Sequence, residues 1–164
     1  MPLGFDPIAA ARRNWEGHGW RAPEAMVAAT SIARAHQVVL AQIDAALAPH
    51  GLTFSRFEAL ALLHFSRRGS LPMGKLGDRL QVHPASVTNS IGRLERDGLV
   101  RRLAADGDRR LVLAEITPEG RRAVRRAAAA LAEAEFGLSG LAGDELGRIA
   151  DALAPVRREA GDLP

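Results

Sequence analysis

The chain contains no cysteine, which excludes disulfides, thiolate nucleophiles, cysteine-ligated zinc and any sensing that works by oxidising a thiol. Aromatic residues are scarce, at 4%. No apolar run approaches the roughly 18 residues that cross a bilayer. The N-terminus carries Pro2, Asp6 and Pro7 where a secretory signal needs an apolar stretch. A cytoplasmic protein with no membrane contact is expected. Catalytic arrangements are missing too. No Ser/His/Asp spacing, Gly-rich phosphate loop or close carboxylate pair stands in a context that would position it. The histidines at 18, 36, 50, 64 and 83 form no metal-ligand motif. Neither an enzyme nor a bound cofactor or metal is expected.

What is present is the balance of a globular domain: 164 residues, 47% hydrophobic and 25% charged, enough to bury a core without staples. The net charge is only +3 and the cations are nearly all arginine, which suits phosphate contact without demonstrating it. Residues 1–22 read as an extension, interrupted by Pro2, Gly4, Pro7, Gly17 and Gly19, with room for a short helix from Ile8 to Trp15. From Pro23 to about Ala48, Met26, Ile32, Val39, Leu40, Ile43 and Leu47 form an apolar stripe at helical spacing, stopped by Pro49-His50-Gly51. Thr53 stands at an N-cap position for a second helix, which carries Phe57, Leu60 and His64 up to Arg67-Arg68-Gly69. Ser70-Leu71-Pro72 reads as a linker. Two brief helices follow, Met73 to Leu80 and Pro84 to Asp97, close enough to form a helix-turn-helix. Two apolar stretches, Leu99 to Ala104 and Leu111 to Ile116, flank turn residues and predict a β-hairpin. Thr117-Pro118-Glu119 then starts a long helix to about Phe136, and Leu146, Ile149, Leu153 and Val156 define a last amphipathic helix.

The central segment carries the functional signal. Leu76 and Leu80 can anchor the first helix of the motif, with Val82 packing in the turn. In the second helix Val87, Ile91 and Leu94 fall at i, i+4 and i+7 and turn inward, leaving Ala85, Ser86, Thr88, Asn89 and Arg93 on other faces. Small side chains permit close docking in a major groove, Ser, Thr and Asn can hydrogen-bond to bases or phosphates, and Arg93 suits a phosphate. The helix start offers free N–H groups to an anionic oxygen, and Pro84 sits where a missing N–H does no harm. In the hairpin, Asp108-Arg109-Arg110 next to Gly107 would let a guanidinium reach the minor groove.

The order helix, helix, helix-turn-helix, hairpin, long helix, helix resembles the MarR family over roughly residues 24–158. The matching motifs are Gly51-Leu52-Thr53, Val87-Thr88 through Arg93-Leu94-Glu95-Arg96-Asp97-Gly98-Leu99-Val100, and Asp108-Arg109-Arg110 followed by Thr117 and Gly120. One departure is His83, where the family more often has a capping serine. The resemblance implies a mainly α fold with a small β-hairpin wing: a winged helix-turn-helix lobe over 53–116, a helical dimerisation region from 23–48 and 117–158, and one domain spanning 23–164. It implies that Asp108 and Arg110 serve the minor groove, with Arg109 assisting. DNA-contact candidates are therefore His83, Pro84, Ala85, Ser86, Thr88, Asn89, Arg93, Asp108, Arg109 and Arg110.

The resemblance also implies a homodimer on double-stranded DNA, reading a pseudo-palindromic operator and acting as a repressor released by a small aromatic or anionic effector. Long helices with one apolar side, too large for a winged lobe to cover, argue independently for the dimer. Effector-pocket candidates are His36, Phe57, His64 and Phe65, with Trp15 and Trp20 as a lid. Phe57 and Phe65 also suit plain core positions, and the two histidines suit an interface. The arginines at 121, 122, 125 and 126 read as a solvated helix face. The alternative is a winged-helix module, architectural or protein-binding, with no effector.

Overall fold

The computed structural model describes residues 3–105 and 108–163, with the side chains of 105 and 108–110 outside the described set. The chain begins with a helical hairpin, α1 (Pro7–Gly17) against α2 (Pro23–Leu47). Asp6 caps α1 by accepting from the N–H groups of Ile8 and Ala9 at 2.9 and 3.3 Å, and Pro7 takes the first position, where no donor is lost. Trp15 fastens the hairpin: its Nε1 donates to the Arg21 carbonyl at 2.9 Å, and its ring stands edge-on to Trp20 at 4.8 Å. Arg12 reaches Glu24 on α2 at 3.2 Å. The helix expected over 8–15 is thus a built element, one residue longer at the start and two at the end.

After a short 3-10 turn come α3 (Phe54–Phe65), β1 (Ser70–Pro72), α4 (Met73–Leu80), α5 (Pro84–Arg96), β2 (Val100–Ala105), β3 (Asp108–Ile116), α6 (Pro118–Glu133) and α7 (Gly143–Glu159). Thr53 occupies the N-cap of α3 but its hydroxyl makes no capping bond. Asp44 of α2 does that work, its Oδ1 accepting from the Phe54 N–H at 2.8 Å. A cap borrowed from another helix is invisible to local pattern. The Ser70-Leu71-Pro72 linker is a strand, paired antiparallel to β3 as Ser70 to Glu115, Leu71 to Ala114 and Pro72 to Leu113. Three residues are too few to show alternation, and Pro72 is tolerated because β1 is an edge in the order β1-β3-β2. The wing is therefore the two-stranded part of a three-stranded sheet. Across it, Arg101 and Glu115 face each other in register and pair.

The start of α6 is dictated by close approach. Thr117 caps it, accepting from the Gly120 N–H at 3.0 Å, while its own hydroxyl donates to the Gly98 carbonyl at 2.8 Å. A Cβ on Gly120 would lie 2.1 Å from the Leu99 carbonyl oxygen, so only glycine lets the helix seat against the end of the α5–β2 connection. The spacing of Thr117 and Gly120 noted in the sequence thus has a steric cause. α6 ends at Glu133, earlier than the expected Phe136, which adopts φ +52°. Gly137, at φ +75°, brings the chain against Val39 and Gln42 of α2, where a Cβ would sit 2.7 Å from that of Gln42.

Leu47, Leu60, Leu63, Leu76, Ile91, Leu94 and Leu131 are the largest fully buried side chains. They join α2, α3, α4, α5 and α6 into one core. By contrast α7 buries no residue, and α2 buries only Ile43 and Leu47 of its 25 residues. Among the described residues no helix is long and apolar enough to cross a membrane, and no group of three or more His, Asp or Glu could hold a metal.

Candidate nucleic-acid interface

α4 and α5 meet through Leu76, Val87, Ile91 and Leu94, all buried as their spacing requires. Leu80 packs only partly against this core, and Val82, expected to fill the turn, is 41% exposed. Gln81 before it turns the chain in a left-handed conformation, φ +55°, which swings Val82 outward to line a shallow hollow between the helices instead. That hollow measures about 560 Å³, with Met73, Gly74, Asp78, Pro84 and Thr88 on its walls.

At the start of α5, His83 supplies what the missing serine would. Its Nδ1 accepts from the Ala85 N–H at 3.2 Å, so the imidazole caps the helix in the tautomer that leaves Nδ1 unprotonated. His83, Pro84, Ala85, Ser86, Thr88, Asn89 and Arg93 are all exposed, and α5 turns one polar, small-residue face outward. The backbone of Asp108, Arg109 and Arg110 opens β3; their side chains, and the tip at 106–107, lie outside the described residues.

Two side chains that sequence reading missed hold this surface in place. Arg56 of α3 reaches Asp97 at the end of α5, 3.6 Å away. Arg102 of β2 lies against α5, its Nη2 donating to the Thr88 carbonyl at 3.2 Å and its Nε standing 3.5 Å from the Glu95 carboxylate. No local signal marks either pair, because each joins separate elements.

The expected effector residues scatter. His36 lines a cavity of about 590 Å³ between α2 and α7, with Ser31, Ile32, Val39, Phe54, Ile149 and others. Phe57 is core, stacked on Phe54 at 6.5 Å between ring centres. Phe65 is 79% exposed at the end of α3, and the half-buried His64 beside it has a buried Nδ1 with no partner among the described residues. Trp15 and Trp20 pair with each other and do not line the cavity. Of the six, the structure brings only His36 to this space, and Phe54, its aromatic wall, was not foreseen. Glu58 on α3 is partly buried, and burial raises its carboxyl above the usual range. On α6, Arg122 and Arg126 both bind Glu119, at 2.6 and 3.2 Å, and these hydrogen bonds, Arg122 first, hold that carboxyl below its usual range.

Comparison with known proteins gives the fold its relatives. The MarR family model matches residues 50–111, which run from the 3-10 turn before α3 into the wing. The HTH-type transcriptional regulator MhqR of Bacillus subtilis is 30% identical over 89 residues, 54% of this chain and 60% of MhqR. The chain thus spans about three fifths of that relative's length. The crystal structure of Sco5413, a MarR family transcriptional regulator from Streptomyces coelicolor, is 47% identical with a TM-score of 0.80, covering 86% of this chain and 98% of Sco5413. Sco3205, a MarR family regulator from the same organism solved in complex with DNA, shares the fold at a TM-score of 0.76 and 22% identity, over 85% of this chain and 89% of Sco3205. A helix-turn-helix with a buried Leu76, Val87, Ile91 and Leu94 seam, a wing within a three-stranded sheet, and this level of identity over nearly the whole of Sco5413 together place the chain in the MarR family of winged-helix transcriptional regulators.

Proposed function

We propose that this chain is a DNA-binding repressor that works as a homodimer on a pseudo-palindromic operator and releases it when a small molecule fills the cavity beside His36. The observation that carries the reading is α5: a buried apolar seam on one side, and on the other an exposed face of Ala85, Ser86, Thr88, Asn89 and Arg93. In this reading Ser86, Thr88 and Asn89 meet base edges, Ala85 permits the close approach, and Arg93 meets a phosphate. The N–H groups expected to meet an anionic oxygen at this helix start are taken by His83 itself, whose Nδ1 accepts from Ala85 and whose carbonyl accepts from Ser86 and Val87. Arg110 enters the minor groove, oriented by Asp108 and assisted by Arg109.

Exposed apolar surface supports the dimer. Ile32 and Val38 on α2, Phe136 and Leu141 between the last helices, and Leu146, Ile149 and Val156 on α7 are all more than a third exposed, and a second copy of the same helices is what would cover them. We assign residues 53–116 to the DNA-binding lobe, 23–48 and 117–158 to the dimerisation region, and 1–22 to an N-terminal extension. The effector reading rests on the cavity, whose volume lies within the range of roughly 300–1,000 Å³ that small-molecule sites occupy, and whose walls are the dimerisation helix α2, the last helix and the start of α3.

The test is selection of bound duplexes from a random pool by the purified protein, followed by titration of the best site at several salt concentrations and with candidate aromatic and anionic compounds. An inverted repeat bound by two chains and released by a compound that raises the melting temperature supports the reading. Binding to the repeat with no compound able to release it favours a module without an effector. Recovery of no motif, with binding that vanishes at physiological salt, would overturn sequence-specific regulation.

A further inference from the structure

Among the described residues the wing meets α5 at a polar junction built on Arg102 and Glu95. The Arg102 backbone N–H donates to Glu95 Oε1 at 3.2 Å, so an edge strand finds an acceptor on the helix beside it. The Arg102 guanidinium then returns along α5, with Nε 3.5 Å from Glu95 Oε2 and Nη2 donating to the Thr88 carbonyl at 3.2 Å. Thr88 and Glu95 are about two turns apart, roughly 10 Å along the helix axis, and one arginine spans them. Gly92 lies between. A Cβ there would stand 3.4 Å from Nη2, in ordinary contact with it. Together with Met73, Gly74, Leu111 and Val112, Thr88 and Arg102 line the cleft of about 430 Å³ that separates the helix from the wing.

We propose that Arg102 and Glu95 are positioning residues, a brace that fixes the angle between the wing and α5 so that the two elements meet DNA as one rigid body. The proposal rests on the reading of both elements as DNA contacts. The lever is simple: beyond Arg102, β2 continues to Ala105, roughly 10 Å of strand, so a tilt of about 10° at the brace moves its end by about 2 Å, more than half a hydrogen bond's length. A planar fork is required because the same guanidinium serves a carboxylate and a carbonyl on different turns.

The full-length protein carrying Glu95→Ala, Arg102→Gln, both together, or Arg102→Lys is compared with the unmodified chain by hydrogen exchange without DNA and by titration against the selected operator and a scrambled duplex. Each single change is expected to speed exchange in β2 and β3 and to weaken operator binding by about fivefold, the scale of a half-exposed ion pair. The double variant loses no more than the worse single one, binding to the scrambled duplex changes less than binding to the operator, and Arg102→Lys does not restore the loss. Melting curves identify any variant that has unfolded, for which Glu95→Gln is the gentler replacement. Unchanged wing exchange in the folded variants would overturn the brace even if no operator were ever recovered. So would additive losses, or wild-type affinity in Glu95→Ala beside a salt slope lowered by about one in Arg102→Gln, which would make Arg102 an independent phosphate contact.

Discussion

The winged lobe and the helices that flank it solve the same problem in opposite ways. In the lobe, α3, α4, α5 and the sheet turn their apolar faces on one another, and Leu60, Leu63, Leu76, Ile91 and Leu94 end fully buried. In the flanking region, α7 buries nothing and α2 stands exposed from Ala28 to Val38, Ile32 included. Both are amphipathic by sequence. The difference is how much of each contact the chain itself supplies: the lobe holds it within the chain, while α7 and much of α2 keep apolar surface uncovered. A core change should therefore unfold the lobe, and a change on α7 should alter association and leave the lobe intact.

The largest effect is expected from Leu94→Ala, which opens a cavity at the fully buried last position of the α5 seam and should cost about 3 kcal/mol in denaturant unfolding. A loss below about 1 kcal/mol would mean that the lobe core is looser than its burial implies. Gly120→Ala comes next. The new methyl cannot coexist with the Leu99 carbonyl, and α6 must shift, at about 2 kcal/mol. Ile149→Asp, on the exposed face of α7, should raise the dimer dissociation constant by at least about tenfold in sedimentation while leaving hydrogen exchange in α4 and α5 unchanged; a simultaneous loss of lobe protection would erase the contrast between the two regions.

Smaller effects probe the surfaces. Arg110→Ala should lower the salt slope of operator binding by about one and leave melting unchanged; an unaltered slope would remove the wing from the contact surface. The smallest concerns Glu58, whose folded carboxyl titrates higher than in the unfolded chain because burial disfavours the charge. Between those two values the folded state holds more protons than the unfolded state, so stability falls as pH rises through that window. Glu58→Gln should raise the melting temperature at neutral pH by on the order of 1 °C, and the gain should vanish once the pH is low enough to protonate Glu58 in both states. A gain independent of pH would assign the effect to packing instead.

Much of the fold was legible because it is written in local periods. The α4 and α5 boundaries, the inward Val87, Ile91 and Leu94, and the start of α6 at Thr117-Pro118 follow from spacing and capping chemistry. The errors share one cause. The Asp44 cap on α3, the strand at Ser70–Pro72 and the outward turn of Val82 each depend on a partner, or a backbone angle, set outside the local pattern. The candidate effector residues scattered for the same reason. Choosing aromatics and histidines along α2 and α3 says which residues are present, and only packing decides that Phe57 is core, Phe65 is in solvent and Phe54 faces the cavity with His36.

The sequence by itself determined the chemistry of this protein: no thiol to oxidise, and an apolar seam on α5 with a small polar face opposite it. Side-chain identity and helical period suffice for that, because they are local. What the tertiary structure decided is relative placement. It set Arg102 across two turns of α5, gave His83 a capping role in place of a serine, closed the third strand, and left α7 without a buried residue. Those outcomes depend on contacts between elements far apart in sequence, whose geometry appears only once the whole core has closed.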